Sequence, residues 1–334
     1  MIKAFVFGKF LPFHKGHEAM IRFALAQCDF LSVLVCCSDQ EHIPSSVRKS
    51  WIEETFNGYT NLEVKALDYV ESELPNSSES SRSISAIWSE LFKKEFPDYS
   101  LLVTSEPYGD YIAEYMHIKH IAFDLTRHQF PVSASLIRKN VFDYWGFLPD
   151  SVKPYYAIKI VVLGTECTGK TMLAEKLAGY YSCSLVSEAG RDLISNSKKF
   201  SMDDLYSVAI EHAKRIQSAY TEASPVIVID TDIHVTESYA RYCFHTTLQP
   251  ENSVYDTNKA DLYLYLENDV PYIQDGTRLE ETERNHLDLS HRQVLKEHGV
   301  DLVEIKGTWE ERFLSSLRHI DALIEKKSNR YQQS

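Results

Sequence analysis

The chain has 334 residues, 44% hydrophobic and 25% charged, with a formal net charge of −13. That length suits two domains of ordinary size, each with its own core, and the negative charge argues against broad binding to nucleic acid or an anionic membrane, so anionic ligands must meet local cations. Six cysteines form no C-x-x-C pair, which suggests neither a zinc site nor a disulfide framework; no apolar run nears the ~20 residues of a membrane span, and a cytoplasmic protein is expected.

The first predicted strand is KAFVF, followed by the loop GKFLPFHKGH (8–17) and a helix in which Met20, Phe23, Ala24 and Gln27 fall at helical spacing. FLSVLVCCS (30–38) then reads as a buried strand, so strand and helix alternate as in a βαβ unit with a parallel sheet. Residues 68–85, rich in Ser, Glu and Asn, read as a surface loop. AIWSELFKKEF reads as a helix, LLVTS (101–105) as a strand and HIAFDL as another. Two prolines and polar residues in FLPDSVKPYYA (147–157) mark the boundary, giving expected domains of 1–148 and 149–334. Beyond it come strand IKIVVLG, a glycine loop, helix TMLAEKLAGYY, strand SLVSE, a helical stretch over 203–222, strands VIVIDTD and DLYLYL, and a tail, KKSNRYQQS, expected to fray. The expected fold class is α/β, with two parallel-sheet domains.

Residues 161–171, VVLGTECTGKT, end an apolar run in Gly-x-x-x-x-Gly-Lys-Thr. Gly164, Thr168 and Gly169 belong to a loop whose successive amides can face a phosphate, and the following helix adds its partial positive charge. Lys170 is expected on the β- and γ-phosphates of ATP, and Thr171 on Mg²⁺. Asp230 and Asp232 follow an apolar strand, where a carboxylate can hold Mg²⁺, for which Asp230 is the candidate, or take a proton from a substrate hydroxyl. Helix capping explains either aspartate alone. SLVSEAGRDL delivers Glu188 and Arg191 to the same sheet edge, so Glu188 competes as general base, ranked after the aspartates. DGTRLEETER supplies Arg278 and Arg284, suited either to closing on a transferring phosphoryl group or to a solvated surface.

The amino-terminal loop has a different logic. Gly8-x-Phe10-x-Pro12-x-His14-x-Gly16-His17 resembles the pattern of nucleotidyltransferases that use an H-x-G-H element. Two imidazoles three apart at a helix start can donate to the α- and β-phosphate oxygens of ATP, so an acceptor phosphate attacks directly and no protein nucleophile is needed. A metal pair is disfavoured, because no Cys, Asp or Glu sits at ligand spacing. Late in the domain, TRHQFPVSASLIRKN holds Ser133, Ser135 and Arg138 and resembles the I-S-x-T-x-x-R element of the same family, with Ser135 where Thr is usual. Arg138 is expected on the β- and γ-phosphates, with Arg127 close by; a serine-capped helix explains the two serines equally well.

The order of these motifs resembles the bifunctional NadR-type proteins, in which a nicotinamide mononucleotide (NMN) adenylyltransferase domain precedes a ribosylnicotinamide kinase domain. The resemblance spans nearly the whole chain and includes TSEPYGDYIAEY with Ser105 and Glu106, YWGFLPDSVKPYYA, VIVIDTD and ENDVPYIQDGTR beside the two loops. It implies a Rossmann-like nucleotidyltransferase followed by a P-loop kinase, with ATP as a substrate and Mg²⁺ as cofactor. It further implies phosphorylation of ribosylnicotinamide to NMN, then adenylylation of NMN to NAD and pyrophosphate. Small molecules are then the partners, without nucleic acid or membrane, and a homo-oligomer is allowed. Trp88 would stack on the cationic nicotinamide ring or else sit in the core. The helix-turn-helix repressor domain of some relatives is not expected, since the first strand begins at Ile2. Two other readings stay open: an adenylyltransferase for another small phosphate acceptor fused to a different nucleoside kinase, and a sensor that binds nucleotides without turnover.

Overall fold

The computed structural model describes residues 1–76, 81–194, 199–270 and 280–332. The chain divides into one compact unit built on Met1–Tyr155 and another on Tyr156–Lys327.

In the first unit, β1 (Lys3–Gly8), β2 (Phe30–Ser38), β3 (Leu62–Tyr69), β4 (Leu101–Thr104) and β5 (Lys119–Ala122) form one sheet in the order β3-β2-β1-β4-β5. Every pairing is parallel. Parallel strands need crossover connections, and α1 (Lys15–Leu25), α2 (Ser45–Thr55), α3 (Arg82–Glu95) and α4 (Tyr108–Met116) supply them, with α5 (Ala134–Lys139) and α6 (Lys153–Tyr156) beyond. Helices on the faces of a parallel sheet bury its central strands on both sides, which is why β2 is buried from Leu31 to Ser38 despite containing two serines. α3 lays Trp88 and Phe92 against Phe5, Leu34 and Leu102, and Phe5 stacks on Phe96 at 4.5 Å. The chain runs from β1 outward to β3, then returns past β1 to β4. The strand order therefore reverses between β1 and β4, the place where open sheets leave a ligand crevice.

The second unit repeats the principle with different connections. Strands β6 (Ile158–Leu163), β7 (Ser184–Val186), β8 (Val226–Asp230), β9 (Leu262–Leu266) and β10 (Leu302–Ile305) lie in the parallel order β10-β9-β6-β8-β7. They are covered by α7 (Lys170–Tyr181), α8 (Ala189–Leu193), α9 (Met202–Ala219), α10 (Ile233–Phe244), α11 (Asn252–Asn258), α12 (Glu281–Glu297) and α13 (Trp309–Gln332). Here the order reverses beside β6, the strand that feeds the glycine loop.

Several elements differ from the sequence reading. β3 and β10 were not foreseen: both are edge strands that mix Leu and Val with charged residues, so neither shows a continuous apolar run. The expected 68–85 loop overlaps the end of β3 and the first turns of α3, and residues 77–80 lie outside the described part. SLVSE gives only a three-residue strand before α8 begins. Within the 147–157 stretch, Leu148, Val152 and Tyr156 are buried, the Ser151 hydroxyl bonds that of Thr55 at 2.7 Å, and the Tyr155 ring packs on Trp51. The tail expected to fray continues α13 to Gln332. Among the described residues no helix is long and apolar enough to cross a membrane.

Candidate active sites

The first site begins where β1 ends. His14 caps α1: its backbone is extended, and its Nδ1 accepts from the backbone amides of Gly16 (3.1 Å) and His17 (3.4 Å). That leaves Nε2 to carry the ring proton and act as a donor. The His14 and His17 rings stack with centroids 3.7 Å apart, and His17 lies on Phe13 and edge-on to Phe10. Gly16 lets the ring lie close, since a Cβ there would sit 3.0 Å from His14 Cε1 and the ring would have to shift by a few tenths of an ångström. Burial lowers the His14 pKa from 6.5 to about 3, and the charge of Arg127 adds to the effect. His17 is lowered well below its ordinary value by burial first, then by His14 and Arg127. Two neutral imidazoles therefore sit at a helix start beside an arginine.

The other expected residues of this site gather round the loop. Arg138 donates to the carbonyl of Leu11 (2.5 Å) and to the Ser135 hydroxyl (3.4 Å), while Ser133 caps α5 by accepting from the Leu136 amide. Arg127, with a positive φ of 52°, pairs with Glu106 at 2.8 Å. The Thr104 hydroxyl bonds the Glu106 carbonyl and His120 Nε2, each at 2.9 Å, and His120 Nδ1 meets Asp110 at 2.7 Å. Gly109 makes room for this chain, because a Cβ there would lie 2.3 Å from His120 Nε2. Behind the loop, Arg48 is fully buried; it donates twice to the Ile43 carbonyl, once to the Lys9 carbonyl (3.0 Å), and pairs with Glu41.

The second site is the loop between β6 and α7. Gly164 (φ 137°) passes so close to β9 that a Cβ would sit 2.7 Å from the Leu266 carbonyl, and Gly169 (φ 85°) lies beneath the Trp309 ring, where a Cβ would be 1.9 Å from Cη2. Thr168 donates to the Thr165 carbonyl at 2.8 Å, and Lys170 Nζ, at the start of α7, donates to the same carbonyl at 3.0 Å. The Thr171 hydroxyl donates to Asp230 Oδ2 at 2.6 Å. Asp230 is 2% exposed, and burial holds its pKa above the usual carboxylate range, with Lys170 and Thr171 partly offsetting the rise. Its Oδ1 is buried without a hydrogen-bond partner among the described residues. An orphaned carboxylate oxygen beside a threonine hydroxyl at the mouth of a phosphate loop is a hard-oxygen donor set that fits Mg²⁺.

The loop opens into a cavity of about 890 Å³. Glu188, Arg191 and Asp232 line it, joined by Phe200, Tyr239, His212 and His291, which the sequence reading did not single out. Asp232 is deeply engaged: it accepts from the amides of His234 (3.0 Å) and Val235 (3.4 Å), and its other oxygen meets His234 Nδ1 at 2.5 Å. This is the capping role that the sequence offered as an alternative. Glu188 is a quarter exposed and bonds Arg191 at 2.9 Å. His291 is buried and stays neutral, its pKa lowered to about 3 by burial and by Lys170.

Three expectations remain. Trp88 is 7% exposed in the first core, stacked on Phe7 and edge-on to Tyr69, with its indole N–H donating to the Pro75 carbonyl. Arg284 is no surface arginine: it is buried on α12 and bonds Asn285. Arg278 lies outside the described residues. Among the described residues no cluster of three or more His, Cys, Asp or Glu could hold a metal ion.

Comparison with known proteins follows the division of the chain. Residues 4–78 match the model of the citrate lyase ligase C-terminal domain, and residues 159–312 match that of an AAA domain. The chain is 27% identical over 341 residues to the Trifunctional NAD biosynthesis/regulator protein NadR of Salmonella typhimurium (strain LT2), covering 96% of this chain and 82% of that protein. It is also 27% identical over 337 residues to the protein of the same name from Escherichia coli (strain K12), covering 92% and 80%. Two crystal structures share the fold over 98% of this chain and 96% of theirs: NadR protein in complex with NAD and AMP-PNP (TM-score 0.64, 21% identity) and NadR protein in complex with NR (TM-score 0.65, 20% identity).

Proposed function

The chain is a NadR-type protein, and from that premise we propose that it carries out two consecutive reactions of NAD biosynthesis. The domain of residues 149–334 phosphorylates the 5′-hydroxyl of ribosylnicotinamide with ATP, and the domain of residues 1–148 adenylylates the resulting NMN to give NAD and pyrophosphate. The observation that supports this most is the coexistence, in one chain, of a neutral stacked His14/His17 pair at a helix start and a phosphate loop complete with Lys170, Thr171 and Asp230.

In the second domain, Lys170 leaves the Thr165 carbonyl for the β- and γ-phosphates, joining the loop amides. Thr171 and Asp230 would hold Mg²⁺, which when bound neutralises charge on the phosphates. The riboside enters the 890 Å³ cavity, where Phe200 and Tyr239 offer apolar walls to its ring. Glu188 is the stronger candidate to accept the hydroxyl proton, because both oxygens of Asp232 already serve the α10 cap and His234. Arg191 stands beside it to meet the acceptor.

In the first domain, the NMN phosphate attacks the α-phosphorus of ATP and pyrophosphate leaves. His14, fixed as the Nε2–H tautomer by its own cap, donates to a phosphate oxygen without first needing a proton from solvent, and His17 stacks behind it. Arg127 and Arg138, with Ser133 and Ser135 at the start of α5, meet the outer phosphates, while Gly8 and Phe10 shape the loop.

Incubation with ribosylnicotinamide and Mg-ATP, read by mass spectrometry, should yield NMN and then NAD. Lys170→Ala should abolish NMN formation while sparing adenylylation of supplied NMN, and His17→Ala should do the reverse. No product from either nicotinamide compound, or loss of both activities in one folded variant, would overturn the reading.

A further inference from the structure

Arg312 is one of the largest side chains in the molecule with no exposed surface, and it lies on α13 directly behind the second phosphate loop. Its guanidinium makes four hydrogen bonds. Nη1 donates to the Thr168 carbonyl (2.9 Å), Nε to the Gly307 carbonyl (2.9 Å), and Nη2 to the Glu267 carbonyl (3.1 Å) and to Asp269 Oδ1. The second oxygen of Asp269 accepts from the Gly307 amide at 2.8 Å. One side chain thus ties the glycine loop, the end of β9 and the turn before α13 into a single piece.

We propose that Arg312 is a positioning residue for ATP: by holding the Thr168 carbonyl it aims the Gly169 amide at the phosphates. The reason lies in the peptide plane. In a trans peptide the carbonyl of one residue and the N–H of the next point in opposite directions. Thr168 C=O and Gly169 N–H belong to one such plane, so a carbonyl fixed toward Arg312 turns the amide away from α13, toward the cavity that Gly169 and Lys170 line. Gly169, at φ 85°, has no rotational preference of its own that would keep this plane in place. The guanidinium supplies the preference. A planar fork with several fixed donors can hold three carbonyls and a carboxylate at once; an ammonium cannot.

This rests on reading the second loop as an ATP site, and its test does not depend on the acceptor. In the full chain carrying His17→Ala, to weaken nucleotide binding in the first domain, Mg-AMP-PNP and adenosine are titrated by calorimetry. R312K keeps the charge but loses the fork. It should weaken AMP-PNP by about tenfold or more while changing adenosine, which has no phosphates, by less than about twofold. Unchanged AMP-PNP affinity in R312K would mean that charge alone suffices and would overturn the proposal, as would an equal loss for both ligands. D269N removes the charge that pins Nη2, which loosens the fork that also holds the Thr168 carbonyl, and it should weaken AMP-PNP in the same selective way, by about threefold. Should R312K fail to fold, D269N decides by the same criterion: a loss confined to AMP-PNP supports the positioning role, and an equal loss or none sinks it. A wild-type chain that binds AMP-PNP yet leaves ribosylnicotinamide untouched would refute the substrate and not the positioning.

Discussion

Acid should act on the first domain through His14. The ring is buried and its pKa falls from 6.5 to about 3, so between those values the unfolded chain binds a proton that the folded chain refuses. Stability from this group is therefore complete above pH 6.5 and is lost as the pH falls. At pH 5 the unfolded imidazole is almost wholly protonated and the folded one almost wholly neutral, which places the loss at about 2 kcal/mol. His14→Asn isolates it. Asparagine is among the best helix caps, its Oδ1 can take the place of Nδ1 toward Gly16 and His17, and it does not titrate. The variant should lie within about 1–2 kcal/mol of wild type at pH 7.5, losing only ring packing on His17, and should then lose stability less steeply on acidification. Urea unfolding followed by tryptophan fluorescence reads this domain well, because Trp51, Trp88 and Trp145 lie in it; a Trp309→Phe background removes the one tryptophan of the second. His17 titrates in both proteins, and since its lowering owes more to burial than to His14, most of its contribution is common to the two. Parallel pH profiles for wild type and variant would refute the argument, since His14 would then share its protonation between folded and unfolded chains.

Other tests address the second domain. Gly169→Ala puts a Cβ into Trp309 and asks an L-residue to hold φ 85°, so kcat/KM for riboside phosphorylation should fall roughly 100-fold; Trp309→Ala added to it relieves the clash but not the dihedral and should restore only part. Asp230→Asn should separate activity from stability. A carboxylate whose pKa is raised by burial costs stability once ionised, above its unfolded pKa, so the amide should unfold at a higher temperature at pH 7 while phosphorylation is lost, measured by calorimetry and product formation.

What the sequence disclosed was what repeats in many chains: apolar strands beside glycine loops. The central strands and both glycine loops lie where the pattern of the sequence put them, and Thr171 and Asp230 meet at the second loop. Edge strands β3 and β10 were hidden because half-exposed strands tolerate Glu, Lys and Asp. Asp232 illustrates a different limit. A carboxylate after an apolar strand is equally a ligand and a cap, and only the geometry of the next two amides separates the roles. His212 and His291 reach the cavity from helices far along the chain, which no local pattern announces. For Arg48 and Arg312 a signal did exist. Each occupies the core-facing register of an amphipathic helix, Arg48 with Ser45, Trp51 and Ile52, and Arg312 with Ser316 and Ile320, where an arginine is out of place unless something polar waits for it.

Those two arginines also set a tension between durability and use. Met or Leu at position 48 would strand the buried Glu41 carboxylate and the carbonyls of Lys9 and Ile43, and at position 312 the carbonyls of Thr168, Gly307 and Glu267. Removing one partner of such a buried polar network costs about 3–5 kcal/mol, so drift toward an apolar core can proceed at either place only if the partners change in concert, and the chain that made that exchange would have given up what holds its loop in shape.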